Sequence, residues 1–170
     1  MAAQQEKKIY GVYSPSVLTT KVILSINDVG KNVKQNLERT IQKNTEGKCI
    51  PEGFIKPGSV SVMTYSSGNV LNANIEFQTV YECMLCHPVE GMLMECTAKT
   101  ITKAGVHAEV IDEGGSVPIT IFIARDHHFT YKEFSNIKEG DNLIVSVIGC
   151  KYELNDKYIY AIASLQKLKR

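Results

Sequence analysis

At 170 residues, with 44% hydrophobic and 22% charged side chains, the chain sits close to ordinary globular composition, which excludes disorder and fibrous architectures. That length holds one large domain or two small ones. Its 19 basic and 18 acidic groups are spread evenly, 9 and 7 over residues 1–88 and 10 and 11 over residues 89–170, so neither half draws phosphate from a distance as a free-standing nucleic-acid binder would.

In chain order, residues 1–8 are polar and expected to fray. Val17 to Ile26 is a β-branched run that reads as a first strand. Asn27 or Asp28 can cap an amphipathic helix in which Val29, Val33, Leu37 and Ile41 recur every four residues, ending near Thr45. Gly47, Pro51, Gly53, Pro57 and Gly58 then turn the chain between short extended pieces, Phe54-Ile55 and residues 59–65. A turn is expected at Ser66-Ser67-Gly68-Asn69. Residues 70–86 follow as a strand with Ile75, Phe77, Thr79, Tyr81, Cys83 and Leu85 on one face.

His87-Pro88 interrupts this pattern and marks a domain boundary. Met92, Met94, Cys96 and Ala98 open a new alternation, Val106, Ala108 and Val110 continue it after a turn at Thr102 to Gly105, and Asp112-Glu113-Gly114-Gly115 signals a hairpin. Val117, Ile119, Ile121 and Ile123 make a third strand. A polar connector from Arg125 to Glu139 precedes Leu143–Cys150 and Tyr158–Leu165, joined by a turn at residues 154–157. Three strands, a connector and two strands match the five-stranded OB barrel. The expected class is thus α+β followed by β, with domains over 9–87 and 88–170.

Candidate chemistry is thin. Cys83-Met84-Leu85-Cys86-His87 has the spacing of a zinc or redox pair, yet a zinc site needs further ligands, and strand residues three apart face opposite ways. A metal-dependent or redox enzyme built on these residues is the third-ranked reading, and the thiols are expected to be structural. No nucleophile motif accompanies His87, His107, His127 or His128, and Gly114-Gly115 lacks the lysine and helix of a phosphate loop. No catalytic residue, metal or cofactor is expected. Five unevenly spaced cysteines read as reduced thiols. With no apolar run of roughly 18–20 residues and no basic-then-apolar start, neither membrane insertion nor secretion is expected.

An OB barrel binds nucleic acid on its second and third strands and end loops. Alternation places His107 and Phe122 outward, with Lys103, Arg125, His128, Lys151 and Lys157 in or near loops, so these seven are the candidate RNA contacts. A free-standing single-stranded RNA-binding protein is the second reading, which the balanced charge argues against.

Glu46-Gly47-Lys48-Cys49 followed by Gly53-Phe54-Ile55 resembles the tip motif of the stalk subunit of multisubunit DNA-dependent RNA polymerases, the archaeal E-prime and eukaryotic seventh-subunit family. The strand 75–85, the junction Pro88-Val89-Glu90-Gly91 and the turn Ala104-Gly105-Val106 keep that family's order. The resemblance implies a truncated ribonucleoprotein-like domain that docks on the polymerase core through Gly47, Lys48, Cys49, Gly53, Phe54 and Ile55, with Phe54-Ile55 as apolar anchor. It further implies an OB barrel near emerging RNA or initiation factors, no active site of its own, and a small helical stalk partner. Cys86-His87-Pro88 carries fewer aromatic and basic groups than the family's junction, and Val106 stands where an aromatic is common. The compact Gly-Lys-Cys tip resembles versions from large cytoplasmic DNA viruses, which would place the protein in a viral factory or virion, and a cellular version in the nucleus.

Overall fold

The structure is a computed structural model that describes residues 11–128 and 132–169. The frayed segment expected at residues 1–8, and residues 129–131 of the connector, lie outside the described residues. Twelve elements position the surfaces described below. The first half contains β1 (Ser14–Ser25), α1 (Val33–Thr45), β2 (Cys49–Ile50), β3 (Gly53–Ile55), β4 (Ser61–Tyr65), β5 (Asn69–Leu71) and β6 (Asn74–Cys86). The second half contains β7 (Leu93–Ile101), β8 (Gly105–Val110), β9 (Ile119–Ala124), β10 (Asn142–Lys151) and β11 (Ile159–Lys169).

β6 is the spine of the first sheet. It pairs antiparallel with β1 from end to end, while β5, β4 and β3 take successive stretches of its other edge and β2 lies beyond β3. The alternation of β6 decides its faces: Phe77, Thr79, Tyr81, Cys83 and Leu85 are buried, and Gln78 and Glu82 are exposed. Leu37 and Ile41 of α1 close that core with Val22, Leu24 and Val62. On the helix flank Glu38 accepts from the Val62 amide (3.0 Å) and Gln42 donates to the Val60 carbonyl (3.2 Å), so a polar flank is tied to β4 and the residue before it.

Two local expectations differ from what is found. A 3-10 turn at Ile26–Asp28, capped by Ser25, occupies the start of the expected helix, and α1 begins at Val33, beyond Gly30. Glycine carries the highest helix cost of any residue except proline, which favours a late start. The turn expected at residues 66–69 lies instead at Asn72-Ala73, between β5 and β6, where Asn72 takes the left-handed φ of +58° that asparagine tolerates.

The second half is the closed barrel β7-β8-β9-β11-β10, all pairs antiparallel except β9 with β11. Met94, Cys96, Ala98, Val106, Ala108, Val110, Ile119, Ile121 and Ile123 point inward as alternation predicts, joined by Leu143, Val145, Ile159 and Leu165. Between β9 and β10 the described residues form two 3-10 turns, Arg125–His127 and Lys132–Asn136, with Phe134 buried.

Candidate interaction surfaces at the tip and on the barrel

The tip sequence is held on the barrel. Cys49 of β2 exchanges two backbone hydrogen bonds with the β10–β11 loop: its amide donates to Asp156 O (2.8 Å) and its carbonyl accepts from the Asn155 amide (2.8 Å). The Tyr152 hydroxyl donates to Pro51 O at 2.8 Å. Cys49, Phe54 and Cys86 lie side by side across β2, β3 and β6 and join the barrel's core. Gly53 sits between them with φ +146°, and a Cβ there would collide with the carbonyl oxygen of Cys86. Gly47, with φ +70°, makes the turn into β2. These backbone demands are the physical content of the two tip glycines.

The ring of Phe54, expected as an apolar anchor for a partner, is 2% exposed and faces the chain's own core. Ile55 and Cys49 are buried as well. Both sides of β2 and β3 are covered: Cys49 and Phe54 pack in the barrel core, Ile50 and Ile55 in the core of the first sheet. What the tip shows to solvent is Pro51 and Glu52, with Gly47 and Lys48 half-buried beside them.

Tyr13 stitches the halves at a second point. Its hydroxyl donates to Asp112 Oδ2 (2.7 Å), its ring stacks on Phe54 (centroids 6.4 Å apart), and the Lys56 ammonium lies 5.4 Å from the ring centre. Burial, then the Asp112 carboxylate, push the phenol's ionisation well above its ordinary range. The thiols behave likewise, because burial disfavours the thiolate: Cys86 and Cys96 are pushed up to about 12, Cys49 and Cys83 to about 11. Cys83 packs in the first core and Cys86 in the barrel core, the opposite facing that their three-residue spacing implies. Among the described residues no cluster of potential metal ligands occurs.

The seven candidate RNA contacts do not form one basic face. His107 and Phe122 are cross-strand neighbours whose rings lie 5.0 Å apart, half-buried on the outer barrel wall. Lys103, Lys151 and Lys157 are exposed. Arg125 is committed to structure: it donates to the carbonyls of Lys103 (3.1 Å) and Thr102 (3.2 Å) and covers the Phe134 ring at 5.1 Å. His128 is not a loop contact but a buried residue at 2% exposure. Its Nδ1 pairs with Ala124 O (2.6 Å), its Nε2 accepts from the Leu165 amide (2.8 Å), and its ring stacks on Phe134. A neutral imidazole with its proton on Nδ1 satisfies both bonds.

Strand register reveals outward residues that sequence reasoning passed over. His107, Phe122, Ile162 and Gly149 form one row across β8, β9, β11 and β10, and Glu109, Thr120, Tyr160 and Lys151 form the next. Tyr158, Tyr160 and Ile162 are 40, 49 and 48% exposed, and the two tyrosine rings lie 5.5 Å apart. The β11 alternation carried the signal, since these residues fall opposite its buried positions.

No family model matches the chain. It is 26% identical over 168 residues to a protein of Acanthamoeba polyphaga mimivirus named as a DNA-directed RNA polymerase subunit, covering 91% of this chain and 82% of that protein. It is 23% identical over 132 residues to DNA-directed RNA polymerase II subunit 7 of Arabidopsis thaliana, covering 74% of this chain and 72% of the relative. The chain is thus similar to the seventh-subunit family of DNA-directed RNA polymerases, a viral version included. A further relative, a DNA-directed RNA polymerase II subunit of Glycine max, is 21% identical over 122 residues, 68% of this chain and 66% of its own length. Among the described residues no helix is long and apolar enough to cross a membrane.

Proposed function

We propose that this chain is a non-catalytic stalk subunit of a DNA-dependent RNA polymerase, docked on the core subunits by its tip and presenting the barrel wall to nascent RNA or initiation factors. The observation that carries the reading is the similarity to a viral polymerase subunit over 91% of the chain. Residues 9–87 then form the truncated ribonucleoprotein-like docking domain and residues 88–170 the OB domain. Protein of a virus would work in the cytoplasm, and of a cell in the nucleus.

On this reading the docking motif divides by role. Gly47 and Lys48, with Pro51 and Glu52 beside them, offer the surface that meets the core. Gly53, Cys49, Phe54 and Ile55 hold that surface rigid from beneath. A preorganised loop loses little freedom on association, and the hydrogen bonds donated by Tyr152 and Asn155 and accepted by Asp156 O supply that order.

The test is co-purification of tagged full-length protein with the large polymerase subunits. A Lys48→Glu, Glu52→Lys double variant is expected to reduce their recovery at least tenfold while melting at the wild-type temperature. Wild-type recovery by the double variant overturns the docking assignment. Absence of polymerase subunits from the wild-type preparation overturns the polymerase reading.

A further inference from the structure

Gly149 is required to be glycine neither by a left-handed φ nor by a close neighbour in the fold. Its φ lies outside the left-handed region, and a Cβ built on it meets nothing within 4 Å. It sits in β10, one residue past a bulge and opposite Ile162 of β11. Glycine inside a strand costs stability and marks either a bulge, as here, or a place where an outside group can come close, and the open space above Gly149 permits such an approach. The missing side chain opens a recess of about 390 Å³ lined by Gly149, Cys150, Lys151, Tyr160, Ala161 and Ile162.

The surround tells what would fill it. Ile148 (43% exposed) and Leu154 (64%) join Tyr158, Tyr160 and Ile162 on the same hairpin, a mixture in which the aliphatic members offer a base nothing to stack on. Lys151 stands on the rim opposite Tyr160, exposed and, among the described residues, without an ion-pair partner. Lys157 lies along the rim, but Glu153 and Asp156 share its loop, so the site lacks the cationic groove that tracks a nucleic-acid backbone. Tyrosines around an apolar pocket are the composition of protein–protein hot spots.

We propose that the Gly149 recess is a docking site for a protein segment that seats one large apolar side chain in the notch and sets a neighbouring carboxylate on Lys151. The recess is lined by none of the tip residues, and the proposal does not depend on the polymerase assignment.

The test places a benzoylphenylalanine photocrosslinker at position 158, on the rim, in tagged full-length protein recovered in its native complex. The expected adduct joins another polypeptide at an apolar residue with an acidic neighbour, and falls at least tenfold in Gly149→Leu protein whose melting temperature is unchanged. Lys151→Glu is expected to lower it at least fivefold, which keeps the test decisive if the glycine variant folds poorly. An adduct removed by ribonuclease, one joining two copies of this chain, one indifferent to both substitutions, or none at all overturns the proposal. Whether the crosslinked polypeptide is a polymerase subunit bears separately on the functional reading.

Discussion

Two strand glycines, Gly53 in β3 of the first sheet and Gly149 in β10 of the barrel, stand in opposite surroundings. At Gly53, beneath the tip, the backbone takes φ +146° and the carbonyl of Cys86 fills the space a side chain would need. At Gly149, on the outer wall, the φ is ordinary and the space is open. The joint between the halves is thus dictated from within. The wall keeps a vacancy that the fold does not use.

The largest expected effect breaks the joint. Gly53→Ala imposes both a disfavoured φ and a collision with fixed backbone, and should cost roughly 2–4 kcal/mol in urea unfolding. A loss under about 0.5 kcal/mol would mean that β3 shifts freely away from β6, and the joint would not be rigid. Gly149→Leu is the built-in control, since it adds apolar volume to open space.

Legibility in the sequence follows the same division. The barrel strands were readable because an alternation of period 2 is local, and Met94 to Ala98 or Ile119 to Ile123 each declare their inward face alone. The tip was readable only as glycines needing turns. That Phe54 faces inward depends on the loop around Tyr152, about a hundred residues away in sequence, whose hydroxyl reaches Pro51. His128 was misplaced for a related reason. It lies beside the exposed His127 in a polar stretch, and what buries it is the Leu165 amide of β11, 37 residues on, together with Phe134. That Cys83 and Cys86 face different cores is legible locally, because side-chain direction on a strand is a local property.

A smaller effect probes the joint without mutation. Cys86 and Cys96 are buried thiols whose ionisation is pushed from an ordinary 9.0 to about 12. A group with its folded value raised keeps its full contribution below the unfolded value and loses it as pH climbs toward the folded one. Stability should therefore hold to about pH 8.5 and decline between about 9 and 12, by about 1.4 kcal/mol per thiol at pH 10. Tyr13, raised by burial and Asp112, adds to the same alkaline loss. Urea midpoints at pH 8 and pH 10 measure it, and a Cys96→Ala variant should show a shallower decline. Equal midpoints at the two pH values would mean the thiols are solvated, contrary to their burial.

The smallest effect isolates one thread of the joint. Tyr152→Phe removes the hydroxyl that donates to Pro51 O at 2.8 Å and leaves the ring that meets His87 edge-on. An exposed hydrogen bond of this kind is worth about 1 kcal/mol, so global stability should fall by no more than that. The consequence should be concentrated at the tip, because the Cys49 amide, bonded to Asp156 O in the same loop, exchanges with solvent through opening of this contact. Hydrogen exchange at Cys49 should accelerate about fivefold, while exchange at Ile121, deep in the barrel, keeps its wild-type rate. If Cys49 and Ile121 accelerate together, the tip opens only with the whole barrel, and the two halves are one cooperative unit in spite of their separate sheets.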